Sequence, residues 1–236
     1  MTRARRFGYS GGMKNTAATR ATMVLMGAVL AALTLSPGAM ADGNRAGAPR
    51  LYKGDISPVV AARELALDKN IVLIDVRTVG EFAAAHIDGA TSVPYPWIKG
   101  FRPEDPGHVA MTDAEFLAAV ETLVPNRATP IMTVCSMGMR SARAANILAQ
   151  AGYSDVRSIW TGVWGRSLTD VENKPLDVNG NGIVGTQALG PDFKPADPGD
   201  LDGWAGFHQL PVVSGVPANK VLAKFRDLYP AAGTGK

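Results

Sequence analysis

Two rhythms of apolar and polar residues alternate through the first two-thirds of the chain. "IVLIDV" (71–76), "PIMTVC" (130–135) and "DVRSIW" (155–160) are short, continuous, β-branched runs between turn signals, the pattern of strands covered on both faces. "TSVPY" (91–95) reads as a further brief strand ended by Pro94. Helical segments fall between them. Ser57 is placed to cap a helix over 58–67 with Pro58 at its first position, where a missing N–H costs little. "VGEFAAAHIDGA" predicts a short helix and turn. Thr112 and Glu115 have capping-box spacing ahead of an apolar face of Phe116, Leu117, Val120, Leu123 and Val124. "RSARAANILAQAG" predicts a helix stopped at Gly152. Strands alternating with helices specify an α/β fold: a mainly parallel sheet of about five strands with helices on both faces, in three layers.

The rhythm stops after Trp164. Residues 165–203 hold seven glycines, four prolines, and seven acidic against three basic residues, with no sustained period. They read as an acidic insertion, not a second core. Residues 204–236 return to apolar character, and "PANKVLAKFRDLYP" predicts a short closing helix before a loose tail. The organisation expected is a 51–164 core, a 165–203 insertion and a closing segment, preceded by a 42–50 linker.

Charge changes the picture at the N-terminus. Arg3, Arg5, Arg6, Lys14 and Arg20 precede an apolar run from Met23 to Leu35 and the small-x-small triplet Ala39-Met40-Ala41. Residues 1–41 therefore read as a cleaved signal peptide, with Met1 or Met13 as the start. Export to the periplasm or beyond follows, with no stable membrane anchor after cleavage. The whole chain has 24 basic and 21 acidic residues; removing the five basic residues of 1–41 leaves 19 against 21, a net −2. The basic character belongs to the leader, and nothing points to a nucleic-acid partner.

Cys135 is the only cysteine, which excludes an internal disulfide and a resolving thiol. It ends a predicted buried strand. Ser136, Met137, Gly138 and Met139 lead from it to Arg140 and Ser141 at the start of a helix. In an open α/β sheet, ligands bind beyond the carboxyl ends of the strands. A helix N-terminus there offers free N–H groups to an anion, and Gly138 lets the loop turn so that several of them face one sulfur. Arg140 and Arg143 add positive charge. These features favour a nucleophilic thiolate at Cys135.

Taken together, Asp75-Val76-Arg77, Glu81-Phe82, His86-Ile87, Gly89-Ala90, the loop "CSMGMRSARAANIL" and "GYSDVRSIWTG" resemble a single-domain rhodanese, the sulfurtransferase family, from about 57 to 162. "DGWAGFHQLPVV" is similar to the ending of such domains, displaced by the insertion. The resemblance implies that Cys135 attacks the outer sulfur of a small anionic donor such as thiosulfate, expels sulfite, and holds a persulfide that cyanide or a thiol removes. It makes Ser136, Met137, Gly138, Met139, Arg140 and Ser141 the substrate-binding loop around Cys135, and Arg140 the residue for the donor's charge. A carrier module working with a protein docked on 165–203 is the alternative. Four residues separate Cys135 from Arg140; cysteine phosphatases and arsenate reductases have five, so the shorter loop disfavours them.

Other residues have structural readings beside functional ones. Asp75, Arg77 and Glu81 read as a polar clasp on the strand-to-helix turn, and His86 as a backbone-bonded histidine. Trp97, Phe101 and His108 lie in a Pro-rich loop that could border the pocket. Asp177, Asn179 and Asn181 with Gly182 match the first half of a calcium loop, but Ala188 occupies the twelfth position. Calcium is the one cofactor considered, with an Asx-rich turn as the simpler reading.

Overall fold

The computed structural model describes residues 49–230. The predicted signal peptide, the choice between Met1 and Met13, most of the 42–50 linker and the end of the tail lie outside the described residues.

Five strands form one parallel sheet: β1 (Gly54–Ile56), β2 (Val72–Asp75), β3 (Thr91–Ser92), β6 (Ile131–Val134) and β7 (Val156–Ile159), in the order β1-β7-β6-β2-β3. All four residues of β6 are buried, the burial that its continuous apolar sequence requires. A separate two-stranded antiparallel ribbon, β4 (Trp97–Lys99) and β5 (Val109–Ala110), occupies the Pro-rich stretch. The sequence pattern did not reveal this ribbon.

The helices form where local signals place them. Ser57 caps α1 (Pro58–Leu67) by accepting from the Val60 N–H. Thr78 and Glu81 form a capping box on α2 (Val79–Ala84), and Thr112 and Glu115 form one on α3 (Asp113–Leu123). The fourth helix, α4, covers Met139–Gln150. Right-handed crossovers put α1 and α2, whose connections advance one way across the sheet, on one face. The connections through α3 and α4 run the other way, and these two helices pack together on the opposite face. Phe82, Phe116, Ile74, Met132, Leu148 and Ile159 fill the layers between them.

One element differs from expectation. Residues 218–228 form two 3₁₀ turns, Ala218–Lys220 and Ala223–Leu228, instead of an α-helix. Val221 between them is extended, at φ −131° and ψ 148°, and bridges in parallel to Ser92 on the edge strand β3. Covering a sheet edge overrides the helical pattern there. Tyr229 then donates its hydroxyl to Ser92 Oγ at 2.8 Å, fixing the end of the segment.

The insertion leaves and rejoins the core at one point. Gly203 N–H donates to the Trp164 carbonyl and Asp202 N–H to that of Arg166. A Cβ on Gly165 would lie 2.1 Å from Gly203 N, so only glycine permits this approach. Inside the loop, Asp200 is fully buried and accepts the N–H groups of Val178, Asn179 and Gly185. Leu201 and Trp204 enter the main hydrophobic core. Among the described residues, no helix is long and apolar enough to cross a membrane.

Candidate active site

The chain moves in one direction across the sheet from β2 to β3, and in the other from β6 to β7. β2 and β6 are neighbours, so a crevice opens between their carboxyl ends, where α/β sheets bind ligands. Asp75 ends β2, and Cys135 follows β6. Cys135 is 1 % exposed. Gly138 is left-handed, at φ 88°, and turns the loop so that its N–H points at Cys135 Sγ, 3.1 Å away. Helix α4 begins at the next residue, and the first N–H groups of a helix have no acceptor within it. A sulfur carrying negative charge therefore faces a bonded amide and the positive end of a helix.

The loop is held from behind. Cys135 O accepts from Val163 N–H at 2.8 Å, and Ser136 O accepts from both Trp164 and Gly165 N–H at 3.0 Å. Met137 and Met139 are half-buried. Ser141 belongs to packing instead: its hydroxyl meets Ser158 Oγ at 3.0 Å and its carbonyl takes the Thr133 hydroxyl at 2.9 Å, both toward the sheet.

Arg140 has a partner that the sequence did not indicate. Its Nη1 and Nη2 donate to the two carboxylate oxygens of Glu81 at 2.8 and 2.7 Å. Glu81 is fully buried and also accepts from Thr78 N–H and the Thr78 hydroxyl, each at 2.9 Å. Burial alone would raise its carboxyl, but Arg140, Arg77 and the Thr78 N–H outweigh this and hold it below the ordinary carboxylate range. Burial likewise works against the Arg140 charge, and Glu81 more than offsets it, raising the guanidinium further. Trp97 and Phe101 lie over the same guanidinium, with ring centroids 5.7 and 5.8 Å away. End-on pairing with Glu81 engages two of the five guanidinium N–H groups.

Asp75 and Arg77 form a second, fully buried pair, with Arg77 Nη2 2.7 Å from Asp75 Oδ2 and 2.5 Å from the Ala85 carbonyl. This clasp ties β2 to the end of α2. His86 is 1 % exposed, stacks on Phe82 at 3.9 Å, and donates Nδ1–H to the Phe82 carbonyl at 2.9 Å. Burial lowers its pKa, which favours neutral imidazole. Its contacts are those of a packing residue. Trp97 and Phe101 border Arg140, whereas His108, on the same ribbon, hydrogen-bonds through its N–H to the Asp105 carbonyl.

Asp177, Asn179 and Asn181 come together, but their oxygens serve the insertion's own backbone. Asp177 accepts from Gly180, Asn181 and Gly182 N–H, Asn179 Oδ1 from Asn181 N–H, and Asn181 Oδ1 from Ile183 N–H. Both asparagines also donate to Asp197. This is the Asx-rich turn. Among the described residues, no group of three or more His, Cys, Asp or Glu side chains is placed to hold a metal ion.

Residues 59–163 match the family described as Rhodanese-like domain. The thiosulfate:glutathione sulfurtransferase of Saccharomyces cerevisiae is 30 % identical over 88 residues, 37 % of this chain and 58 % of the yeast protein. Thiosulfate sulfurtransferase 18 of Arabidopsis thaliana is 34 % identical over 107 residues, covering 45 % of this chain and 74 % of the plant protein. The crystal structure of Rv0390 from M. tuberculosis is 23 % identical, covers 70 % of this chain and 99 % of its own, and has a TM-score of 0.45. The Arabidopsis relative is 34 % identical and matched over 74 % of its length, and the family match over 59–163 spans both the Asp75-to-Ala90 motifs and the cysteine loop, so the chain belongs to the rhodanese-like family.

Proposed function

We propose that the protein is an exported sulfurtransferase that moves a sulfane sulfur from a small anionic donor such as thiosulfate to a thiol or cyanide. The observation that carries this reading is the Gly138 N–H aimed at Cys135 Sγ at 3.1 Å, at the β2–β6 crevice and the start of α4. The Cys135 thiolate attacks the outer sulfur of thiosulfate. The S–S bond of the donor breaks, its electron pair leaves with sulfite, and a persulfide remains on Cys135. Sulfite departs as an anion and needs no general acid. The acceptor then attacks the outer persulfide sulfur, forming thiocyanate or an acceptor persulfide, and the Cys135 thiolate returns. The Gly138 N–H stabilises the charge on sulfur, and Arg140 supplies positive charge for the donor's oxygens.

The test is an intact mass of the mature protein after incubation with thiosulfate, followed by cyanide and a thiocyanate assay. A gain of one sulfur that cyanide removes, absent in Cys135→Ser, is the expected result. No gain from thiosulfate or from an organic persulfide overturns the reading. A persulfide that forms but turns over only with a second protein present replaces it with the carrier function.

A further inference from the structure

The insertion contacts an element on each side of the crevice: the nucleophile's loop, from behind, and helix α2. At its root, Trp164 and Gly165 N–H bond to the carbonyl of Ser136, the residue after the nucleophile. Its tip is a tight turn, with a bridge between Leu189 and Pro195, Gly190 N–H on the Lys194 carbonyl and Phe193 N–H on the Gly190 carbonyl. That turn presses Phe193 against Gly80 in α2. A Cβ on Gly80 would fall 2.4 Å from Phe193 Cζ, so the ring occupies the space a side chain would take. Gly80 directly precedes Glu81, which holds Arg140.

Two features mark this contact as built. Gly80 is a glycine within a helix, a position that glycine destabilises, and the ring explains why no larger residue stands there. Phe193 is an aromatic residue at φ 59°, a strained conformation that persists only where surroundings enforce it. The strap therefore joins the nucleophile's loop at its root to α2 at its tip, beside the residue that pairs with Arg140, and Cys135 itself is 1 % exposed.

We infer that Phe193 is a specificity-determining residue: seated on Gly80, it holds the insertion across the crevice and restricts Cys135 to small donors and acceptors. Bulky thiols gain access only when that contact opens. The size limit itself does not depend on the chemistry at sulfur; only the nature of the excluded acceptors rests on the sulfurtransferase reading.

The experiment compares alkylation of Cys135 by iodoacetamide and by a bulky maleimide in the full mature protein, with Phe193→Ala, Gly80→Ala and Phe193→Leu beside the unaltered chain. The bulky reagent should react several-fold faster in Phe193→Ala and Gly80→Ala, with the iodoacetamide rate little changed and Phe193→Leu close to the unaltered protein. The ratio of kcat/KM for glutathione to that for cyanide should rise in the same two variants. An unchanged maleimide rate overturns the proposal. So does an equal rise for both reagents, which reports general loosening or unfolding. If no sulfur transfer is found at all, the alkylation ratio still decides the strap.

Discussion

Arg140 and Glu81 meet end-on across the crevice, two N–H groups on two oxygens, and join the first turn of α4 to the first turn of α2. Glu81 is fully buried and the Arg140 side chain 12 % exposed. Removing one partner strands the other's charge. Glu81→Ala should cost about 3–5 kcal/mol in urea denaturation, whereas the double change Glu81→Met with Arg140→Met should recover much of the loss. A single-variant cost below about 1 kcal/mol would place the pair in the weak, solvent-screened class.

Glu81 also predicts a shift in donor use. With glutamine at position 81, the Arg140 guanidinium is no longer neutralised and its full charge is available to a dianion. Glu81→Gln should lower KM for thiosulfate more than for an uncharged organic persulfide, read from single-turnover loading of Cys135. Equal effects on the two donors would mean that Arg140 does not contact the donor's charge.

His86 makes stability depend on pH. Its folded pKa lies below its ordinary value of 6.5, chiefly because burial disfavours the imidazolium. The unfolded chain thus binds a proton that the folded chain refuses as pH falls below about 6.5, and stability drops from there toward the lower folded value. Above that pH the contribution is complete. His86→Asn, which retains a donor for the Phe82 carbonyl, should be less stable near neutrality but show a flatter decline on acidification. Parallel pH profiles for the two proteins would sink the assignment.

Gly162 and Gly180 share a φ of +72° and differ in surroundings. A Cβ on Gly162 would lie 2.3 Å from the Cys135 carbonyl oxygen, while Gly180 has open space. Gly180→Ala should cost about 1–2 kcal/mol from backbone strain alone. Gly162→Ala should cost clearly more and should slow Cys135 alkylation or persulfide loading, because the clash falls on the nucleophile's own backbone. Equal costs would show that the loop can give way.

Asp200 governs the insertion. Replacing it with alanine leaves three N–H groups without their acceptor and should destabilise by about 1–3 kcal/mol per donor left buried and unsatisfied. Asp200→Asn should be milder. Calcium or a chelator should leave the melting midpoint of the unaltered protein in place, since the Asp177, Asn179 and Asn181 oxygens already accept backbone N–H groups. A rise with calcium would reverse that conclusion.

The parts of this molecule that could be read from sequence are those encoded locally. The α1 bounds followed from Ser57 and Pro58, α3 from its capping box, and β2, β6 and β7 from apolar runs that only a doubly covered strand explains. β1 was missed because three residues with one buried position carry no period. The β4–β5 ribbon was hidden by prolines, and the closing α-helix was misread because its competitor was an edge strand far away in sequence. The site divides in the same way. Cys135, Gly138 and the helix after them are contiguous and legible. Arg140's partner is 59 positions away, and Phe193 reaches Gly80 through a turn with no periodic signal. The roles of the insertion's carboxylates were equally hidden: Asp170, Asp177, Asp197, Asp200 and Asp202 accept hydrogen bonds from within the insertion, its backbone above all, and so serve as local scaffolding.

The pinch at Gly165 and Gly203 has a consequence for how such a chain can change. Because the two ends meet at backbone contact, the domain beneath experiences the intervening peptide as though almost no length had been added. Apart from Leu201, which the core buries, and Phe193, which seats on Gly80, its content can be rewritten, shortened or exchanged while strand spacing stays the same. The rhodanese core then acts as a socket, and most of what fills the gap between Gly165 and Gly203 becomes a replaceable part.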